Sequence, residues 1–135
     1  MPRIVHLAIK VEDLEQATKF YEDVFGFQQL STNRNGQHVS RHMTDGYIDL
    51  ALMVYDSENA PEAQLSGKGP CIHHFGIEVD DRESYEEKIK ANGGKILSPP
   101  GAGALKFRSP DGTVAEIVVA GRYEKKKEQT AKAHA

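Results

Sequence analysis

The sequence predicts an α+β fold made of two tandem βαβββ modules, and three observations predict it. First, "HLAIKVEDLEQATKFYEDVFGF" from His6 and "HFGIEVDDRESYEEKIKANGGK" from His74 share one plan, offset by 68 residues. Each begins with His, reaches Val five residues later, continues through an acidic pair and a helix-like stretch, and stops near Gly. Second, "DGYIDLALMV" from Asp45 and "DGTVAEIVVA" from Asp111 repeat a turn-then-strand pattern at an offset of 66. A repeat unit of half the chain is too long for a solenoid and reads as a duplicated half-domain. Third, the hydrophobic period switches from two to 3.6 and back within each half, the mark of strand, helix and strands in succession.

Residues 3–11 alternate as a strand. A helix over 12–25 follows, because Leu14, Ala17, Phe20, Tyr21, Val24 and Phe25 recur at three- and four-residue spacing and Gly26 stands where a helix stops. Strands are expected at 27–33, 37–43 and 47–55, with "NRNG" turning between the first two. The polar, Gly- and Pro-containing stretch at 56–70 is a connector. The second module gives a strand at 71–79, a helix at 81–92, an "NGG" stop, and strands near 94–98, 104–109 and 113–120. One domain over residues 1–120 is therefore expected, with modules at about 3–55 and 71–120.

The chain has 135 residues, 39% of them hydrophobic, enough for one sizeable core. No apolar run reaches the roughly 18 residues of a membrane span, and His6 and Lys10 break the first apolar stretch, unlike a secretory signal. The single cysteine, Cys71, is compatible with a reducing cytoplasm and reads as a buried structural thiol. The net charge of −3 divides into −6 over residues 1–120 and +3 over 121–135. An acidic body argues against nucleic acid as a partner, and the basic end reads as solvated. "PPGAGALKF" lacks the ending of a phosphate loop and is expected to form a mobile hairpin at a pocket mouth.

Period two assigns the faces of the first strand in each half. Leu7, Ile9 and Val11, and likewise Phe75, Ile77 and Val79, form faces that pack under a helix. The opposite faces read His6-Ala8-Lys10 and His74-Gly76-Glu78: a His, a very small residue, a charge. Small residues beside each His suit a concave interior that leaves room over the ring. His73 aligns with Val5, falls on the packing side, and is expected to be structural. Asp49 and Glu116 each interrupt an apolar strand, where an unpaired charge is costly. They either pair with Lys10, Arg41, Lys106 or Arg108, or join His6 and His74 in a set suited to a divalent first-row ion. Lys10 shares the His6 face and either binds a substrate carboxylate or phosphate or makes a rim salt bridge.

"HLAIKVEDLEQATKFYEDVFGF", "GPCIHHFGIEVDD" and "SPDGTVAEI" together resemble the vicinal oxygen chelate superfamily, over about residues 3–120. That superfamily includes glyoxalase I, methylmalonyl-CoA epimerase, extradiol dioxygenases and bleomycin-resistance proteins. The resemblance implies an open, incomplete mixed β-barrel with helices outside, around a divalent metal ion (Zn, Ni, Co, Mn or Fe), in a homodimer acting on a small-molecule substrate. Carried over by position, it implies His6, His74 and Glu116 as ligands with Asp49 fourth, and Glu116 and Asp49 as the proton-moving carboxylates. Asp49 departs from the family pattern, which has Glu or Gln there, and is shorter by roughly 1.5 Å. Without it the set is a 2-His-1-carboxylate triad, the pattern of non-heme Fe(II) oxygenases.

The implied chemistry is a glyoxalase- or epimerase-like lyase or isomerase, in which a metal chelating vicinal oxygens of an oxo-substrate stabilises an enediolate during proton transfer. An Fe(II) extradiol-type dioxygenase, with His38, His42 and Tyr47 as further candidates, is the alternative. A non-catalytic antibiotic-binding protein is the third, and the ligand set counts against it.

Overall fold

The computed structural model describes residues 1–121 and Glu124. Apart from Gly121 and Glu124, the basic end lies outside the described residues.

The element order is β1 (Arg3–Lys10), α1 (Leu14–Phe25), β2 (Gln28–Asn35), β3 (His38–Thr44), β4 (Asp49–Tyr55), then β5 (Cys71–Val79), α2 (Arg82–Ala91), β6 (Lys95–Ile96), β7 (Leu105–Arg108) and β8 (Val114–Val119). This is the expected βαβββ, twice. A 3₁₀ turn at Ala63–Ser66 interrupts the connector. Both helices start later than the periodicity suggested, because the second acid of each pair is the cap. Asp13 accepts from the Gln16 amide and Asp81 from the Ser84 amide, satisfying first-turn donors. Gly26 closes α1 at φ 71°, a left-handed conformation that favours glycine. β6 is only two residues long, shorter than expected.

The strands form one open mixed sheet of eight in the order β2-β3-β4-β1-β5-β8-β7-β6. β1 and β4 run parallel, as do β5 and β8, while β1 and β5 are antiparallel at the centre. The two modules thus join edge to edge through their first strands. Under α1, Met43, Leu50 and Leu52 pack with Leu7, Ile9 and Val11. Under α2, Val79, Leu105 and Ile117 pack with Ile77 and Ile89. These are the apolar faces that period two assigned. The other face carries Ala8, Ala51 and Met53 beside the histidines.

The central register explains the small residues. His6 stands opposite Gly76, and Ala8 opposite His74. A Cβ on Gly76 would lie 2.8 Å from Cβ of His6, closer than side-chain carbons approach. Gly76→Ala is therefore expected to push His6 aside and destabilise the protein by about 1–3 kcal/mol. Thermal denaturation measures this, and an unchanged midpoint would show that the strands yield freely.

Two register shifts break the β1–β5 ladder. Ile4 and His6 face Ile77 and Gly76, which makes Val5 an extra residue on β1; Ala8 and Ile9 face His74 and Ile72, which makes His73 an extra residue on β5. Each bulge thus immediately precedes one of the two repeated histidines.

Candidate metal centre

Strands β1, β5 and β8 bring His6, His74 and Glu116 together, all buried. One ligand atom from each lies within 4.8 Å of the others, a set that could hold a metal ion. Oε1 of Glu116 is 3.5 Å from Nε2 of His6 and 3.4 Å from Nε2 of His74. The same atoms border a cavity of about 600 Å³, also lined by His38, His42, Met53 and Lys106.

Asp49 is near but placed differently. It is the parallel-strand neighbour of His6, and its Oδ2 lies 2.9 Å from the other ring nitrogen, Nδ1. Nδ1 of His42 approaches the same carboxylate at 2.8 and 3.0 Å. A carboxylate only accepts, so each of these nitrogens donates. With Nδ1 donating, the neutral form of the His6 ring has its lone pair on Nε2, the atom that faces Glu116. A proton or a metal cation between that nitrogen and the carboxylate oxygen would satisfy both, and the donor set of two imidazoles and a carboxylate fits a first-row divalent ion. Burial pushes both carboxyls up, but the surrounding hydrogen bonds and positive charge outweigh it. Asp49, hydrogen-bonded by His42 and His6, and Glu116, facing the imidazoles of His74 and His6 and the Lys106 ammonium, both lie well below the usual carboxylate range.

His74 is supported otherwise. Its Nδ1 lies 2.7 Å from Nδ1 of His73, whose Nε2 is 2.7 Å from the Glu62 carbonyl oxygen. His73 was expected merely to pack. As the extra residue of a bulge it is instead re-aimed, and its ring meets that of its neighbour. Burial lowers the His73 pKa to about 4, and the Glu62 carbonyl offsets only part of this. Unfolded, the ring titrates near its ordinary 6.5. Between these values the unfolded chain holds more protons, so stability falls as pH drops. The metal-free protein is expected to lose several degrees of thermal midpoint between about pH 6.5 and pH 4; a flat midpoint over that window contradicts a neutral buried His73.

The remaining candidates are placed as follows. Lys10 is buried, donating to the carbonyls of Ala63 and Gly67 at 2.7 Å each and to Glu58 at 3.1 Å. It ties down the connector and does not line the histidine cavity. Arg41 holds Thr18, Thr32 and Glu15, and Arg108 holds the carbonyls of Gly112 and Leu65. Of the four basic residues considered as carboxylate partners, Lys106 pairs with Glu116, at 3.5 Å, and also with Glu62 at 3.2 Å. His38 lines the cavity and packs on Tyr55, whereas Tyr47 is exposed. Gly103 and Ala104 of "PPGAGALKF" also line the cavity, and Arg82 grips the carbonyls of Ala102 and Gly103. His42 was named only as a candidate for ring cleavage, and its contact with Asp49 was not read, although it lies on the strand beside Asp49 in phase with the pocket face. The contact of His73 with His74 left no signal, because it depends on the bulge.

Comparison with known proteins places the fold in a family. The chain is 31% identical over 133 residues to a lactoylglutathione lyase of Haemophilus influenzae, covering 86% of this chain and 91% of that protein. It is 30% identical to a probable lactoylglutathione lyase of Vibrio parahaemolyticus, covering 86% and 89%. Among solved structures, methylmalonyl-CoA epimerase in complex with methylmalonyl-CoA and NH4+ superposes with a TM-score of 0.73 at 21% identity, covering 91% of this chain and 97% of that one. The epimerase of Mycobacterium tuberculosis gives 0.70 at 20%, covering 86% of each chain. These structures share the fold. The family model described as Glyoxalase/Bleomycin resistance protein/Dioxygenase superfamily matches residues 3–117, and the chain belongs to that superfamily.

Proposed function

We propose that this protein is a divalent-metal-dependent lyase or isomerase of the glyoxalase or epimerase kind, with His6, His74 and Glu116 as its metal ligands. The observation that carries this reading is the convergence of two imidazole nitrogens and one carboxylate oxygen, all from buried residues, at a cavity wide enough for a small substrate. A bound divalent ion supplies Lewis acidity to vicinal substrate oxygens. The chain's own residues do the rest. Glu116 takes the proton α to the substrate carbonyl and returns it, as a carboxylate held ionised at neutral pH can. Lys106 borders the cavity beside Glu116 and offers a positive charge to an anionic substrate group. Asp49 was expected as a fourth ligand and second proton-moving carboxylate. With its oxygens on Nδ1 of His6 and of His42, it suits a different task, holding His6 so that Nε2 faces the ion.

A single domain over residues 1–120, a homodimer and a cytoplasmic location belong to the same proposal. The homodimer draws support from the exposed apolar side chains Ile4, Phe20, Val24, Phe25 and Ile72, which sedimentation can test. The single thiol, Cys71, suits a reducing compartment.

The deciding experiment strips the purified protein of metal, reloads it with Zn, Ni, Co, Mn or Fe(II), and assays turnover of lactoylglutathione and epimerisation of methylmalonyl-CoA. Metal-restored activity toward either supports the proposal; failure of every metal with both substrates rejects it. The second reading, ring cleavage by an Fe(II) dioxygenase, is favoured by the 2-His-1-carboxylate composition of the set. Cleavage of a catechol under Fe(II) and oxygen would establish that reading instead.

A further inference from the structure

Nδ1 of His73 and Nδ1 of His74, 2.7 Å apart, share one hydrogen between them. Which ring owns it follows from the other end of His73. The Glu62 carbonyl oxygen has no hydrogen to give, so the 2.7 Å contact with His73 Nε2 is donated by the ring. A neutral His73 that donates from Nε2 has only a lone pair on Nδ1. The shared hydrogen therefore belongs to His74, whose Nε2 is left bare, 3.4 Å from Oε1 of Glu116.

We propose that His73 is a positioning residue for the metal centre: through the relay His74 Nδ1–H to His73 Nδ1 and His73 Nε2–H to the Glu62 carbonyl, it locks His74 in the tautomer that presents Nε2 to the ion. The proposal rests on the reading of His6, His74 and Glu116 as metal ligands.

The internal repeat shows why the second half needs this device. In the first half the Nδ1 of His6 is held by Asp49 on the adjacent parallel strand. The repeat makes Glu116 the counterpart of Asp49, but Glu116 reaches the centre of the site with Oε1 towards the Nε2 atoms. His74 therefore has to be supported from elsewhere. The β5 bulge supplies His73 at a position whose counterpart, Val5, has no polar side-chain atom. The connector supplies the acceptor through Glu62, adjacent to the 3₁₀ turn that Lys10 ties down. Support of His6 is charged and that of His74 is neutral, so losing His73 weakens binding less than losing Asp49.

Long-range proton–nitrogen correlation spectra of the ¹⁵N-labelled, metal-free protein at neutral pH test the relay directly. The expected pattern is hydrogen on Nδ1 and a lone pair on Nε2 for His74, with the reverse for His73. Hydrogen on Nε2 of His74, or on Nδ1 of His73, overturns the proposal. Zinc affinity, measured by competition with a chromophoric chelator, gives the second readout. His73→Phe keeps the ring volume but removes the acceptor, and is expected to weaken zinc binding about 10-fold. His73→Asn, whose amide oxygen can accept in place of Nδ1, is expected to recover most of that loss. A folded His73→Phe protein with wild-type zinc affinity, or an Asn variant no better than Phe, overturns the positioning role. Should His73→Phe not fold, the wild-type spectra and the Asn variant decide. Failure of the wild-type protein to bind any divalent ion overturns the metal reading, while the tautomer pattern still accepts or rejects the relay.

Discussion

Glu116→Gln is expected to weaken metal binding severely while leaving the metal-free fold nearly unchanged. Glutamine keeps the length and shape of Glu116 but loses the anionic donor of the set. In the metal-free protein its amide can donate toward a ring Nε2, where the carboxylate only accepts. Lys106 loses one carboxylate but keeps Glu62, 3.2 Å away. Metal affinity should therefore fall by more than about 100-fold, and turnover by about 10²–10⁴, the usual range for removing a general acid–base group. The thermal midpoint of the metal-free variant should stay within about 3 °C of wild type, a shift worth less than about 1 kcal/mol for a chain of this size. Isothermal titration with zinc separates the two effects. Wild-type affinity in the Gln variant would remove Glu116 from the ligand set.

Asp49→Ala is expected to do the opposite in kind, costing stability first and affinity second. The buried Nδ1–H groups of His6 and His42 both donate to Asp49. Removing that acceptor strands two buried donors, a cost of about 2–4 kcal/mol. The His6 ring is then free to turn or change tautomer, and metal affinity should drop about 10–100-fold, as for partners that orient a metal-binding histidine. Asp49→Asn separates orientation from ligation, because the amide oxygen still accepts from one of the two rings. If Asp49 only orients His6, the Asn variant should bind metal more tightly than the Ala variant and far more tightly than Glu116→Gln. Affinity in Asp49→Asn as poor as in Glu116→Gln would instead make Asp49 a ligand.

Much of the architecture was legible because it repeats. The duplicated His-to-Val spacing placed β1 and β5, and the duplicated DG turn placed β4 and β8. Alternation assigned Leu7, Ile9, Ile77 and Val79 to the layers under the helices. The small residues proved informative as well, since Gly76 and Ala8 stand opposite His6 and His74. Less was legible where one side chain's task depends on a neighbouring strand. Lys10 shares a face with His6, yet the connector folds over it and engages all three of its donor contacts. β6, at one edge of the sheet, shrank to two residues, whereas β2 at the other edge keeps eight, a difference that the spacing along the chain does not record.

By itself the sequence determined the order of elements, the symmetry between the halves, and which face of each first strand carries the histidines. These are properties of spacing along the chain, and period and repetition record them directly. Only the tertiary structure decided what Asp49, His42 and His73 touch. The parallel register of β1 with β4 set Asp49 against Nδ1 of His6. One extra residue on β5 turned His73 from packing toward the ring of His74. Register and bulges are relations between strands distant in the chain, and a reading of either strand alone contains neither.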